Sequence, residues 1–262
     1  MDTINIFADQ ARGDLFLLMK NFKGGMKAWQ VVPREIRMEQ VLLPTQRGYK
    51  FNMYSGASGS SRRPSEILLN RNDVFFASYV GFRIGREDGT GAADLRIDNY
   101  PYHTHADANF FNGAAVGGAT EAQSLQACYG GTLSCKTDTK DRLKPLSMTY
   151  FNWVPAYPNR NGNLLTQPNG ADSTFDTRYQ SEYGATMEKR GMKKLTPLLG
   201  FDGQQDNFWS IQLPDQSLIG NINGDTDAAS SSGQGNKNVA MLVVYGWEVI
   251  QGADPIVKSG IR

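Results

Sequence analysis

The chain has 262 residues, and its 27 Lys+Arg against 26 Asp+Glu leave a formal charge of +1. No global field therefore draws it to nucleic acid or to an acidic membrane, and any such contact has to be local. With 40% hydrophobic and 20% charged residues it falls in the globular class, at a size where a core forms without disulfide or metal staples.

The N-terminal stretch "MDTINIFADQARGDLF" opens on an acid and lacks the basic segment and apolar run of an export signal. The expectation is a chain made in a cytoplasm and not exported by the usual route. Phe7, Ala11, Leu15, Leu18, Met19 and Phe22 then recur at steps of three and four, Lys20 and Lys23 follow, and Gly24-Gly25 supplies a stop. This spacing predicts an amphipathic helix over residues 8–23. Its apolar face rests either on this chain's own core or, as an arm, on a neighbouring subunit or membrane surface.

From residue 28 the pattern is one of strands. "AWQVV", "EIRMEQVLL", "YKFNMYS", "DVFFASYVGFRI", "DLRID", "SLQACY", "TLSCKT", "LSMTYFNWV", "NFWSIQL" and "NVAMLVVYGWEVI" are β-branched or aromatic runs bounded by Gly, Pro, Asn and Asp. "EIRMEQVLL" alternates as a strand with one wet face does, whereas "VAMLVVYGW" has no wet face and reads as central. The fold class is all-β, a sandwich or barrel. Long polar connections at 54–66, 112–123, 156–194 and 220–238 are where binding or assembly contacts would sit. A short helix is expected near "YGATMEKRGMKK".

Both histidines of the chain lie in "PYHTHAD". On a strand, His103, His105 and Asp107 would share a face and could hold Zn²⁺. A Pro-Tyr turn before them and "ANFFNG" after them favour a loop, so they are weak metal candidates and the expected site has no metal. Cys128 and Cys135 flank "YGGTLS", a possible hairpin tip; they are expected to be reduced and packed, with pairing left open. "NINGDTD" alternates oxygen ligands as a Ca²⁺ loop does, but Thr226 stands where the turn glycine belongs and Ser232 where a bidentate Glu belongs, so a solvated loop is expected. "GASGS" is not a nucleophile elbow, and "GGMK" runs into a strand instead of a phosphate-binding helix. The basic clusters Arg62-Arg63 and Lys189-Arg190 with Lys193-Lys194 lack accompanying recognition motifs for nucleic acid. The expectation is no enzyme, no cofactor and no small-molecule substrate.

The helical arm, the all-β body with long insertions and the apolar closing run "NVAMLVVYGWEVIQGADP" combine with "LLNRNDVFFASYVGFRIGRED", "GGTLSCKTDTKDRLKPLSMTYFNWVPAYP" and "NFWSIQLPD". Together they resemble major capsid proteins of tailless icosahedral bacteriophages, the double jelly-roll lineage. The resemblance implies an arm over 1–27 and two jelly rolls over 28–145 and 146–262, with a single jelly roll carrying long insertions as the alternative. It further implies homotrimeric capsomers in an icosahedral virion shell, assembled in the host cytoplasm. The partners would be other copies, other virion proteins, and an internal membrane or packaged genome beneath the arm. Phe7, Leu15, Phe16, Leu18 and Phe22 are then the assembly or membrane contacts. A rival reading, resting on 11 Tyr and 4 Trp, is a glycan-binding or receptor-binding sandwich or spike module. An enzyme reading would be a metal hydrolase using His103, His105 and Asp107.

Overall fold

The computed structural model describes residues 31–54, 66–87, 102–108, 110–111, 119–153, 157–158, 164–165, 191–214, 221–223 and 237–250. The expected helical arm, "DLRID", Arg62-Arg63 and Lys189-Arg190 lie outside these residues. In chain order the elements are β1 (Val31–Val41), β2 (Gly48–Asn52), β3 (Val74–Glu87), α1 (Glu121–Tyr129), β4 (Thr132–Thr137) and β5 (Lys140–Ser147). A 3₁₀ turn (Met148–Phe151) follows, then the short pair β6 (Tyr157–Pro158) and β7 (Leu164–Leu165), β8 (Met192–Asp202), β9 (Asn207–Gln212) and β10 (Lys237–Val249).

The eight longer strands form two antiparallel four-stranded sheets, ordered β1-β10-β3-β8 and β2-β9-β4-β5. The class is all-β, as expected. The apolar run "VAMLVVYGW" becomes β10, paired with β1 from Val41↔Val239 to Val31↔Val249 and with β3 on its other side. A strand flanked on both edges inside a covered sheet needs no polar face, which is why its pattern is continuous. The division expected between residues 145 and 146 falls inside β5. Strands from its two sides pair in both sheets: β1 with β10, β3 with β8, and β4 with β9.

The core lies between the sheets. Ile36, Met38, Phe75, Phe82, Leu242, Val244 and Phe201 of one face Tyr49, Phe51, Leu133, Trp209 and Ile211 of the other, all buried. Phe201 and Trp209 meet across the layer with ring centroids 6.0 Å apart, and the Trp209 indole N–H is directed at Met53 Sδ, 3.2 Å away. The helix α1 closes one end of this core through Leu125, Cys128 and Tyr129, with Tyr129 edge-on to Phe82 at 5.4 Å.

Ser78 is a bulge against β10, where adjacent Tyr245 and Gly246 pair with Tyr79 and Ala77, whereas on the other side β8 carries the extra residues, Leu195 to Leu198 lying between the partners of Tyr79 and Ala77. The Ser78 hydroxyl donates to the Tyr245 carbonyl at 3.0 Å, satisfying an acceptor beside the bulge. At Gly246 the backbones approach so closely that a Cβ would stand 2.0 Å from the Phe76 carbonyl oxygen.

Several local expectations change. "SLQACY" is helical, because Thr120 and Gln123 form a reciprocal capping box that nucleates α1. "LSMTYFNWV" leaves β5 at Ser147 and becomes the 3₁₀ turn, with the Ser147 hydroxyl accepting from the Thr149 N–H. "MKK", expected at the end of a helix, begins β8 after Gly191 at φ +69°. Glu39, expected on a wet face, is 2% exposed and accepts from the Tyr102 hydroxyl at 2.9 Å.

Candidate functional site

The register fixes which connections gather at each end. The end of β1, the start of β10, the end of β3 and the start of β8 lie together in one sheet. The start of β2, the end of β9, the start of β4 and the end of β5 lie together in the other. The short link 42–47 joins the two sets, so the connections 88–131, 148–191 and 213–236 all leave from one end of the sandwich. The 53–73, 138–139 and 203–206 links leave from the opposite end, as do the start of β1 and the end of β10.

A buried polar cluster sits at the end with the long connections. Thr120 caps α1, which places Glu121 in the first turn, where the helix dipole favours an acid. Glu121 is fully buried, and Arg86 at the end of β3 donates to both its carboxylate oxygens at 2.7 and 2.6 Å. Asn238 at the start of β10 donates to the same carboxylate at 2.7 Å and to the Ile222 carbonyl at 3.2 Å. One carboxylate thus ties helix, β3 and β10 together. Sequence reading missed this set; its legible sign was the Thr120–Gln123 spacing ahead of a β-rich run.

The histidines lie beside this cluster. His103 extends the first sheet by one antiparallel bridge to Ile84, through hydrogen bonds of 2.8 and 2.9 Å. Its ring packs against Phe110 at 4.4 Å and Phe111 at 5.5 Å, with the His105 ring 6.1 Å away and nearly perpendicular. Arg86 lies over the same two phenylalanines at 5.3 and 5.5 Å. Burial, followed by the neighbouring His105, pushes the His103 imidazole down to about 4, with Asp107 opposing and Arg86 reinforcing the shift. His105 is also lowered by burial, against Asp107 and a hydrogen bond with the Trp153 backbone. After the bridge the backbone bends, and the Asp107 carbonyl accepts from Phe110 and Phe111 at 3.2 and 2.8 Å. Among the described residues no three His, Cys, Asp or Glu side chains come together as a metal-ligand set. The His103 imidazole is packed as buried aromatic surface with half-buried His105 beside it, which a reading by strand alternation does not anticipate.

Cys128 and Cys135 are free and buried, one on α1 and one on β4, so they do not flank a hairpin tip. Burial pushes the Cys128 thiol up to about 12 and raises Cys135 as well, which keeps both protonated and unreactive. Of "NINGDTD", Asn221 and Ile222 are buried instead of solvated. The Asn221 N–H donates to Ser124 Oγ at 3.3 Å and the Asn223 carbonyl accepts from Asn238 at 3.0 Å; the remainder of the motif lies outside the described residues. Lys193, on β8, stands 4.6 Å over the Tyr150 ring. Trp209 is in the core, while Trp153 and Trp247 are half-buried. The assembly candidates Phe7, Leu15, Phe16, Leu18 and Phe22 lie outside the described residues.

At the opposite end Arg34 is ion-paired with Glu248 and donates to the Leu68 carbonyl at 3.2 Å. The Glu248 carboxyl is raised by burial, with Arg34 opposing and Asp73 adding to the shift. This cluster fastens the first and last strands to the 53–73 link.

No protein-family model matches the chain, and no curated protein or solved structure matches it.

Proposed function

We propose that this chain is a structural subunit that self-assembles, a viral capsid protein built on a single jelly roll. The observation that carries the reading is the strand order β1-β10-β3-β8 against β2-β9-β4-β5, with the first long strand beside the last. A jelly roll is two Greek keys wrapped into eight strands, and this order fits one such barrel assembled from both halves of the chain. The single barrel is preferred over two barrels for that reason.

The arrangement of the ends supports shell building. Three of the four long connections leave from one end of the sandwich and the fourth from the other, and such connections supply adaptable contact surface around a shared two-sheet frame. Ion pairs and hydrogen bonds occupy the buried acids Glu121 and Glu248 as ties between elements. In this reading the arm over residues 1–27 is a connector: Phe7, Leu15, Phe16, Leu18 and Phe22 lie on a neighbouring copy or an internal membrane. The partners are other copies, as trimers within an icosahedral lattice, with other virion proteins and the packaged genome; the site of action is the virion, after assembly in the host cytoplasm.

The test is the double variant Leu15→Asp/Leu18→Asp. Assembly should be lost while the purified subunit keeps its thermal unfolding transition. Loss of folding would make the helix part of the core and overturn the connector role. Saturable binding of a host polysaccharide by a persistent monomer, with tryptophan quenching, would favour the glycan-binding module instead.

A further inference from the structure

The chain has two histidines, and the fold puts buried His103 and half-buried His105 in one cluster that the assembly reading does not use. The cluster is faced from several elements. Arg86 comes from β3, Glu121 and Tyr129 from α1, Asp107 from the histidine segment itself, and the Trp153 backbone from beyond the 3₁₀ turn. Glu121 is already engaged by Arg86 and Asn238, so Asp107 is the carboxylate offsetting new positive charge on the imidazoles.

The segment joins the sheet by a single bridge and not by a ladder. The β3–β8 ladder ends at Gly81↔Met192, and His103 continues the sheet beyond it through its bridge to Ile84. The segment is also tied to the turn after β5 and to α1: Thr104 Oγ1 donates to the Trp153 carbonyl at 2.5 Å, Trp153 N–H donates to the Thr104 carbonyl at 3.1 Å, and the Tyr129 hydroxyl reaches the His103 carbonyl at 3.5 Å. The Tyr102 hydroxyl donates to Glu39 on the outer face of the same sheet. β10, by contrast, is laddered along its length on both sides.

We propose that Tyr102 to Asp107 form an acid-opened latch, in which protonation of His103 and His105 beside Arg86 releases the segment from β3 and Trp153 while both four-stranded sheets stay formed. The inference is independent of the shell reading. Its direction follows from linkage. A closed-state imidazole held near 4 and an open one near the ordinary ~6.5 mean that the open form binds more protons as pH falls between those values. His103 alone then raises the ratio of open to closed about 30-fold at pH 5 relative to pH 7.5. The position of the latch, at the end bearing the long connections, makes that end the part of the molecule whose contacts respond to acid.

The test is amide hydrogen exchange on the full chain, read by mass spectrometry at pH 7.5, 6 and 5 and corrected for intrinsic exchange, with exchange at the histidine C2 position giving both imidazole pKa values. Expected are His103 titrating well below 6.5 and His105 below it, and a rise of about 30-fold in opening for peptides covering Ile84 and Tyr102–Asp107, with β10 amides unchanged. Asp107→Asn should lower the closed-state imidazole pKa values, because it removes the charge that favours closed, protonated imidazoles, while leaving the opening at pH 5 nearly unchanged; His103→Phe should remove most of the acid response. Histidines titrating near 6.5, protection in the segment independent of pH, or loss of protection only together with β10 would each overturn the latch. The wild-type result decides even where a variant fails to fold.

Discussion

Glu121 is the residue on which one end of the sandwich depends. Removing a partner from a buried ion pair leaves an uncompensated charge, at a cost of about 3–5 kcal/mol. Glu121→Ala should therefore lower the urea unfolding free energy by about that amount, since Arg86 is 13% exposed and Asn238 fully buried; a loss below about 1 kcal/mol would mean that Arg86 finds water instead. His103 sets the acid limb. Its folded pKa is depressed to about 4, so its contribution is complete above the ordinary ~6.5 and is lost as pH falls toward 4, by about 3 kcal/mol. His103→Phe should flatten the dependence of the urea midpoint on pH across that window, and an unchanged slope would contradict the burial assigned to the ring. Neither role was legible in the sequence: "PYHTHAD" advertised ligand spacing, but whether an imidazole meets a metal or a phenylalanine depends on the tertiary position of Phe110 and Phe111.

Strands were easier to read than the devices that place them. β3, β4, β9 and β10 follow from β-branched and aromatic runs, because those side chains fit a pleated, half-buried surface. β5 and β8 were missed, since "KDRLKPLS" and "MKKLTPLLGFD" contain lysines and an internal proline. Those features suit edges, which is where both strands lie, and β1, at the remaining edge of the first sheet, carries Pro33. Lysine and proline on edges block pairing with another chain's sheet. Contacts between copies would then use loops and faces instead of strand addition. Two element-level changes test the packing. Thr120→Ala removes the capping box of α1 and should cost about 1 kcal/mol, measured by thermal unfolding. Gly246→Ala places a Cβ against the Phe76 carbonyl and should cost at least about 1–3 kcal/mol through forced separation of β10 and β3; a neutral result would require a different register at the Ser78 bulge.

At the scale of the whole molecule, the all-β class and the central place of β10 were legible, because a strand with no wet face has to be paired on both sides. The topology was not. Which strands join depends on contacts far apart in the chain, and Val31 meeting Val249 leaves no local trace. The halving of the chain into two barrels came from resemblance, and residue-by-residue pattern carries no mark of it. A two-sheet sandwich, three of its four long connections at one end, and blunted edges together support the proposal of a subunit made to be repeated. The most direct measurement is light scattering on the purified full chain with negative-stain microscopy of the same fractions. The account predicts a defined oligomer that forms rings, sheets or closed shells; a persistent monomer forming no assembly at any salt or protein concentration would contradict it.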